Sequence, residues 1–355
     1  MKQYVLGIDQ GTTSSRAAVF DAHGGMVSIS RQRIGQFYPQ PGWVEEDPME
    51  IWASVLHSME QAIKLAAIPV SELAAIGVAN QRDTLLFWNP LTGEPLTPAM
   101  VWQDCRTAPL GEAVPAGLRQ HFTAMSGMPL ISNAAVLKLK WFLDHVPQLR
   151  RQAAAGGAVC GTVDSWLFWQ LSGRRLHMTD FSFASVTALL DRHRLCYGED
   201  ILSYFDIPAG CLPQLRFSSE VYGLLDEALL GCRIPLAGCL GDQSAALLGQ
   251  GCIQPGMAKN TYGTGSFLML NAGAGYRPPE KGLLAPIAWS LPAGCCQAVE
   301  GIADASGASI QWLQEKLGIL QDPSQAAEMA AAVPDTDGVY FVPALTGLAA
   351  PYWDQ

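Results

Sequence analysis

Four consecutive hydroxyl side chains and a cation follow an acid and a glycine near the start of the chain, in residues 6–16. Backbone N–H groups at a glycine turn, together with the hydroxyls, would present donors to an anion, and Arg16 adds charge suited to phosphate. Asp9 would repel an anion, so its natural partner is Mg²⁺, held directly or through water. An ordinary polar hairpin turn is the alternative, and this stretch alone favours it. The hydroxyl donors are Thr12, Thr13, Ser14 and Ser15.

Polar residues also follow two later apolar runs that predict strands. Residues 74–79 lead into Arg82 and Asp83, and residues 99–101 lead into Trp102. Open α/β sheets bind ligands just beyond the carboxyl ends of their strands, so these side chains are candidates for a pocket. A surface ion pair between Arg82 and Asp83, and a core position for Trp102, are the alternatives.

The opening pattern returns later in the chain. An apolar run over residues 235–240 ends in Gly-Asp-Gln at 241–243, and residues 257–262 lead into Gly-Thr-Gly at 263–265. A strand followed by such a turn is a second candidate phosphate loop. The similarity suggests a duplicated architecture with an anion site on each half, but it is too weak to establish duplication by itself.

The intervening sequence predicts the elements that position these groups. Asp47 and Pro48 supply a cap and a first-turn proline for a helix that runs to about residue 66. Residues 174–230 read as turns and short helices. Other helices are predicted over 134–145, 164–171 and 303–317 and from 244. Strands are predicted over 4–8, 17–20, 26–31, 74–79, 85–88, 99–101, 158–162, 235–240, 257–262, 267–270, 283–289, 295–300 and 338–342.

The composition limits the class of protein. Of the 355 residues, 49% are hydrophobic and 15% are charged, which predicts two domains with buried cores. The net charge of −10 argues against a nucleic-acid groove. The nine cysteines lack metal-type spacing and indicate thiols in a reducing compartment. We find no signal peptide and no apolar run of membrane-spanning length, and we therefore expect a cytoplasmic protein.

Eight stretches together carry a family resemblance. They are residues 9–16, 38–52, 80–82, 138–145, 161–164, 241–243, 260–265 and 350–354. In this order they resemble the sugar and polyol kinases of the FGGY group, over essentially the whole chain. The Pro-Gly-Trp-Val-Glu and Asp-Pro-Met-Glu-Ile-Trp sequences within residues 41–52 favour the glycerol kinases over the pentulose kinases.

The resemblance implies an α/β, two-domain fold of the actin, hexokinase and Hsp70 type (ribonuclease H-like), with the active site in the cleft between the domains. We expect a substrate-binding domain over residues 1–245 and part of a nucleotide-binding domain over 246–355. The implied reaction is ATP-dependent phosphorylation of glycerol to sn-glycerol 3-phosphate with Mg²⁺, without a nucleic-acid partner. Members of the family commonly form homo-oligomers, but no interface is identified in this sequence.

The resemblance also implies a role for each matching residue. Asp242 would be the general base that takes the proton of the attacking hydroxyl, and Asp9 would hold Mg²⁺. The nucleotide and its phosphates would contact Thr12, Thr13, Ser14, Arg16, Thr264, Gly265, Gly307 and Gln311. The polyol pocket would be lined by Arg82, Asp83, Trp102, Asn133, Asp242, Gln243 and Phe267.

Three departures from the family pattern bear on activity. Glycerol kinases usually carry Glu where this chain has Asp83 and Tyr where it has Asn133, and Ala135 also departs from the signature before Lys138. Each of the first two changes would cost about 1–3 kcal/mol in transition-state binding. The substrate is then either another polyol or ketose, or glycerol bound in a weaker site.

The third departure is length. The family's second domain continues beyond the point that matches Gln355, and the remaining part carries a glycine-rich adenosine-binding motif. The resemblance therefore predicts either a fragment or a poorly active chain with an exposed apolar edge. A non-catalytic binding protein derived from a kinase is the alternative from a different class.

Overall fold

The computed structural model describes residues 3–275, 282–344 and 347–354. Contacts divide the chain into two compact units. The first unit comprises Met1–Ala245 and Pro286–Cys296, and the second comprises Ala246–Ala285 and Gln297–Gln355.

The described residues form eighteen strands and twelve α-helices, which confirms the predicted α/β class. The strands are β1 (Tyr4–Gly11), β2 (Ser14–Phe20), β3 (Met26–Arg33), β4 (Glu45–Glu46), β5 (Leu73–Asn80), β6 (Leu85–Trp88), β7 (Ala99–Met100), β8 (Val159–Thr162), β9 (Met178–Asp180), β10 (Leu190–Asp191), β11 (Cys196–Tyr197), β12 (Gln214–Arg216), β13 (Ser219–Leu224), β14 (Pro235–Gly241), β15 (Ala258–Tyr262), β16 (Ser266–Gly273), β17 (Ile287–Leu291) and β18 (Gly294–Ala303). The helices are α1 (Pro48–Ala66), α2 (Ala108–Glu112), α3 (Ala116–Ser126), α4 (Ala135–His145), α5 (Leu149–Ala154), α6 (Val163–Leu171), α7 (Phe181–Val186), α8 (Glu199–Tyr204), α9 (Glu227–Leu230), α10 (Asp242–Gly249), α11 (Gly307–Glu315) and α12 (Gln325–Ala331).

A six-stranded mixed sheet forms the centre of the first unit, in the order β13-β14-β5-β1-β2-β3. Strands β14, β5 and β1 are parallel neighbours. Strands β13 and β2 pair with β14 and β1 in antiparallel fashion, and β3 pairs with β2 in the same way. The register pairs Ala79 with Asp9 on one side and with Leu240 on the other, so the three parallel strands end level with one another. Apolar side chains that alternate along β1, such as Leu6 and Ile8, are buried on one face of this sheet.

Helix α1 packs against the sheet through its apolar face. Ile51, Val55 and Met59 recur at intervals of four residues and are fully buried. The Asp47 carboxylate accepts a hydrogen bond from the Met49 N–H group at 2.8 Å, and Pro48 occupies the first turn. The predicted helix start at Asp47 and its end near residue 66 are both confirmed.

A second, smaller sheet in the first unit has the order β4-β7-β6-β8. Its strand β6 carries Trp88, whose ring lies 5.4 Å from the ring of Trp166 on α6 in an edge-on arrangement. Because both indoles are fully buried, they join this sheet to the helical layer of the unit.

The second unit contains the β15–β16 hairpin, with β18 pairing in antiparallel fashion with β16. Helix α11 follows β18, and the predicted helix over 303–317 is therefore shorter at its start, because β18 extends to Ala303. The predicted strand over 338–342 is wrong. Those residues are described and form no strand, and Val339, Tyr340 and Val342 are exposed, so the apolar run has no ladder partner among the described residues.

Within the described ranges, no helix combines the length and the apolar character needed to cross a bilayer.

For residues 174–230 the sequence predicted only turns and short helices. The structure also has five short strands there, of which β13 forms one edge of the central sheet. Its alternation is interrupted by a register shift between Ser219 and Gly223, which explains why the sequence pattern is weak there.

The N-cap of α1 offers a test of the fold. Replacing Asp47 with Ala removes the acceptor for the Met49 N–H group and is expected to lower the free energy of unfolding by about 1 kcal/mol. Asp47→Asn keeps a capping oxygen and serves as the matched control, with a loss of only a few tenths of a kcal/mol. Urea denaturation of the three proteins measures both changes, and equal losses in the two variants would contradict the capping role.

Candidate active site

Three charged side chains meet at the carboxyl edge of the central sheet. Asp9 lies near the end of β1, Arg82 follows β5 by two residues, and Asp242 follows β14 directly as the first residue of α10. Because these strands are parallel neighbours that end level with one another, their terminal residues come together. This edge is the position where open α/β sheets bind ligands.

The Asp242 carboxylate is held from several sides and still reaches solvent. The Gln243 backbone N–H donates to Oδ1 at 2.7 Å, and the Gln243 side-chain amide donates to Oδ2 at 3.1 Å. Arg82 Nε lies 3.4 Å from Oδ1, and 33% of the Asp242 side chain is exposed, against 9% of the Arg82 side chain. A carboxylate fixed in this way can accept a proton from a group that approaches its open side.

Gly241 makes room for the arginine. A Cβ atom at this position would lie 2.9 Å from Arg82 Cδ and 3.2 Å from Cγ, so any side chain would displace the arginine stem. The Gly241 N–H group donates to Ser182 Oγ at 3.0 Å, which fixes the end of β14.

Asp9 faces both a cation and the second carboxylate. Arg16 Nη1 lies 3.3 Å from Asp9 Oδ2, and both side chains are about half exposed. Partial burial raises the pKa of Asp9, the positive charge of Arg16 lowers it, and the negative charge of Asp242 raises it again. The negative charges of Asp9 and Asp242 at this edge would favour a divalent cation such as Mg²⁺.

The protein ligands for such an ion are few. Within the described residues, no group of three or more His, Cys, Asp or Glu side chains is arranged to hold a metal. Mg²⁺ commonly binds through one or two carboxylates with substrate phosphates and water completing its shell, so Asp9 fits an ion that arrives with a phosphate substrate.

The hydroxyl residues after Asp9 separate into two groups. Thr12 and Thr13 form the tip of the β1–β2 hairpin and are partly or fully exposed. Ser14 is buried and accepts a hydrogen bond from Arg31 Nε at 2.9 Å, and Ser15 is buried with its hydroxyl 2.7 Å from that of Ser54. The two threonines are therefore the hydroxyls that a ligand can reach at this hairpin.

Trp102 connects this hairpin to the residues that follow β5. Its indole Nε1–H donates to Thr12 Oγ1 at 3.0 Å, and its backbone N–H donates to Thr84 Oγ1 at 3.2 Å. Trp102 is only partly buried, so one surface of the ring remains available beside the charged edge.

A buried lysine supports the turn after β5. Asp83 is buried and has a φ of 63°, in the left-handed region that few side chains adopt, and its carbonyl oxygen accepts a hydrogen bond from Lys138 Nζ at 2.6 Å. Burial lowers the pKa of Lys138 to about 8, and the negative charge of Asp83 opposes that shift. Lys138 lies within the motif at residues 138–145, and its buried contact with the Asp83 carbonyl, 55 residues away in sequence, has no local signal.

Asn133 lies in the turn before α4 and is partly exposed. Within the described part of the chain, no hydrogen bond or ion pair joins it to Asp9, Arg82 or Asp242. The neighbouring Ser132 carbonyl accepts a hydrogen bond from Thr107 Oγ1 at 2.7 Å, which holds this turn.

The remaining candidates lie in the second unit. Residues 263–265 connect β15 and β16, with Thr264 exposed and Gly265 buried. Phe267 is partly buried on β16. Gln311 is exposed on α11 and donates to Glu315 Oε1 at 2.7 Å.

The glycine at 307 is explained by close packing of backbone. Its N–H group donates to the Gly263 carbonyl oxygen at 2.9 Å, and the Ala308 N–H donates to the Thr264 carbonyl at 3.0 Å. A Cβ atom at Gly307 would lie 2.5 Å from the Gly263 oxygen. Two N–H groups at the start of α11 are thus already bonded to the Gly-Thr-Gly loop, which fixes the loop against the helix.

Comparisons with known proteins agree with one another. The family model of the N-terminal domain of the FGGY family of carbohydrate kinases matches residues 4–249, and that of the C-terminal domain matches residues 258–355. The chain is 46% identical to glycerol kinase 2 of Thermotoga maritima over 354 residues, which are 99% of this chain and 71% of that protein. It is also 46% identical to the glycerol kinase of Symbiobacterium thermophilum over 355 residues, 100% of this chain and 71% of that protein.

Among solved structures, the chain is similar to Plasmodium falciparum glycerol kinase with ADP. The TM-score is 0.91 at 31% sequence identity, over 99% of this chain and 71% of that one.

Lys138 offers a test of how the site is supported. Lys138→Ala removes the donor to the Asp83 carbonyl and leaves a cavity, and it is expected to lower the free energy of unfolding by about 2–4 kcal/mol. Lys140 lies on the same helix in a surface pair with Asp144, and Lys140→Ala is expected to cost at most about 0.5 kcal/mol. Urea denaturation compares the two variants, and losses of similar size would exclude the supporting role of Lys138.

Proposed function

The chain belongs to the FGGY family of carbohydrate kinases, and from that premise we propose that it transfers the γ-phosphoryl group of ATP to a hydroxyl of glycerol, giving sn-glycerol 3-phosphate. The observation that carries this proposal is the ion pair of Arg82 with Asp242 at the level end of three parallel strands, with Asp9 beside it. The two glycerol kinases at 46% identity support the choice of glycerol as the acceptor.

Asp242 is the group that we assign to the proton. As the acceptor oxygen forms its bond to the γ-phosphorus, the bond from phosphorus to the bridging oxygen breaks and ADP leaves with that electron pair. The acceptor hydroxyl loses its proton to an oxygen of Asp242. The contacts with Gln243 and Arg82 keep the carboxylate oriented for this transfer, which lowers the cost of reorganisation during the reaction.

Asp9 is the residue that we assign to Mg²⁺, together with the phosphates of ATP. The ion would supply positive charge to the transferring phosphoryl group. Thr12, Thr13 and Arg16 would contact the phosphates. The two threonines lie at the accessible tip of the β1–β2 hairpin, and the Arg16 side chain on β2 is about half exposed, which supports this role. Ser14 is a weaker candidate, since its hydroxyl already accepts from Arg31.

The two compact units support a division of the ligands. We propose that residues 1–245 carry the acceptor site and that residues 246–355 contribute to nucleotide binding. For the acceptor we assign polar contacts to Arg82, Asp83, Asn133 and Gln243, and an apolar contact to Trp102. For the nucleotide we assign Thr264, Gly265, Gly307 and Gln311.

The cysteine pattern of the sequence supports a cytoplasmic location.

Another polyol or a ketose is the competing acceptor. Asp83 and Asn133 stand where glycerol kinases usually carry a longer carboxylate and an aromatic hydroxyl, which leaves more space near the acceptor. A panel of glycerol, larger polyols and ketoses, tested with the purified chain, ATP and Mg²⁺, decides between them. Formation of sn-glycerol 3-phosphate is expected, and turnover restricted to a larger substrate would refute the choice of glycerol.

Asp242→Asn tests the assignment of the base. The amide keeps the size of the carboxylate but cannot take the proton, so kcat is expected to fall by about 10²–10⁴-fold while glycerol still binds. Steady-state kinetics and calorimetric titration with glycerol measure the two effects. Asp200→Asn is the control, because it removes an exposed carboxylate of α8 that pairs with His121. A variant with near-normal kcat would remove Asp242 from this role.

Gly241→Ala tests the packing of Arg82 over the end of β14. The added Cβ must push the arginine stem away from its present position, so kcat/KM is expected to fall by about 10–100-fold without loss of the fold. Gly249→Ala is the matched control at the other end of α10, because a Cβ there would meet nothing within 4 Å. Equal kinetics in the two variants would show that the position of Arg82 does not limit the reaction.

A further inference from the structure

We propose that Glu46 is a positioning residue for Trp102 and acts through a chain of hydrogen bonds formed by Gln81 and Thr84. The consequence for glycerol binding rests on the proposed function, but the hydrogen-bond chain itself does not. The sequence does not indicate this role. Glu46 comes directly before the N-cap residue of α1, and Trp102 is distant from it in sequence.

The chain of hydrogen bonds is continuous and buried. The Trp102 backbone N–H donates to Thr84 Oγ1 at 3.2 Å, and the Thr84 hydroxyl donates to Gln81 Oε1 at 2.8 Å. Gln81 Nε2 then donates to Glu46 Oε2 at 2.8 Å. Glu46, Gln81 and Thr84 are at most 2% exposed, so water cannot replace a lost partner at these positions.

The direction of each bond is fixed. A threonine hydroxyl carries a single hydrogen, and once it points to Gln81 the Thr84 oxygen can only accept from Trp102. The Gln81 amide likewise places its oxygen toward Thr84 and its nitrogen toward Glu46 and Gln10, whose Oε1 lies 3.2 Å away. Every donor along the chain therefore points toward the Glu46 carboxylate.

Glu46 accepts on both of its oxygens. Gln36 Nε2 donates to Oε1 at 3.2 Å, while Gln81 donates to Oε2. An ionised carboxylate accepts both bonds, but a protonated one presents an O–H group to one of the two donors. A proton on Oε2, the oxygen that faces Gln81, would turn the Gln81 amide and withdraw its oxygen from Thr84.

The charges around Glu46 make this change accessible near neutral pH. Burial raises the pKa of Glu46 to about 7, the two glutamine amides oppose the shift, and the negative charge of Glu50 on α1 adds to it. Asp47 caps α1. Arg106 neutralises two other acids of the neighbouring segments, Glu45 at 2.8 Å and Asp104 at 2.7 Å. As the pH falls through 7, the proton therefore goes to Glu46 and the carboxylate acceptor is lost.

The end of the hydrogen-bond chain that lies opposite Glu46 reaches the β1–β2 hairpin. Trp102 is held at two points, its backbone by Thr84 and its indole by Thr12. A change at Glu46 therefore reaches the ring that we assign to the acceptor pocket, and through it the threonine at the tip of the β1–β2 hairpin. We expect ionised Glu46 to hold the ring in the position that binds the acceptor alcohol.

Nuclear magnetic resonance of the protein labelled with ¹⁵N-tryptophan tests the hydrogen-bond chain from Glu46 to Trp102, and it needs no substrate. Trp102→Phe identifies the Trp102 amide and indole signals. Both signals are expected to titrate with a midpoint near pH 7 in the wild-type protein and to stay constant in Glu46→Gln. Glu60→Gln, which removes an exposed charge of α1, should titrate like the wild type. Signals of the wild-type protein that are constant between pH 6 and 8, or that titrate unchanged in Glu46→Gln, would overturn the proposal.

Kinetics tests the consequence for the acceptor. If only ionised Glu46 supports binding, the KM for glycerol should rise by up to about tenfold from pH 8 to pH 6, with little change in the KM for ATP. Glu46→Gln should remove this pH dependence, and Thr84→Val should give a raised KM that no longer depends on pH. A KM in Glu46→Gln that follows the wild-type profile would overturn the proposal.

The two experiments separate this inference from the proposed function. If the Trp102 signals titrate with Glu46 but the wild-type protein neither binds nor phosphorylates glycerol, the hydrogen-bond chain is supported and the assignment of glycerol is wrong. If glycerol is phosphorylated while the Trp102 signals are constant, the proposed function is supported and the role of Glu46 is wrong.

Discussion

The register of three parallel strands is the constraint on which the candidate site depends. Strands β14, β5 and β1 end level with one another, and this places Asp242, Arg82 and Asp9 at one edge although they are separated by most of the first unit in sequence. A slip of one residue in any of these strands would turn its terminal side chain to the opposite face of the sheet. The buried, alternating apolar residues of β1 and the packing of α1 hold the register, so the core of the unit determines the geometry of the site.

Beneath the charged edge, several buried polar groups are bonded to protein partners. Lys138 holds the carbonyl of Asp83 in a left-handed turn, and Ser182 holds the N–H group that precedes Asp242. Such groups are expensive to bury, and the cost is recovered only when each has a partner. A layer of this kind keeps the side chains above it in one orientation before any ligand arrives, which is the condition for electrostatic catalysis at a rigid site.

Local signals predicted those parts of the structure that depend on neighbours in sequence. Asp47 and Pro48 gave the start of α1, and the apolar runs before Arg82 and Asp242 gave the strands that carry them. The prediction of a strand at 338–342 was wrong because an apolar run becomes a strand only when it finds a partner edge, and none of the described residues pairs with it. The link between Glu46 and Trp102 could not be predicted at all, since each contact joins residues distant in sequence and a buried glutamate beside a helix cap resembles an ordinary surface acid.

The hydrogen bond between Trp102 and Thr12 has a consequence for how two substrates share one site. The ring that we assign to the acceptor pocket and the hydroxyl that we assign to the phosphates are bonded directly to each other. An acceptor that moves the indole must therefore stretch or break this bond, and a phosphate that draws the Thr12 hydroxyl toward itself must leave the hydroxyl oxygen oriented for the indole donor. Both requirements are met together only when the hydroxyl hydrogen points to the phosphate and its oxygen accepts from Trp102. Under these two assignments, the single hydrogen of the Thr12 hydroxyl would link the acceptor pocket to the phosphate site.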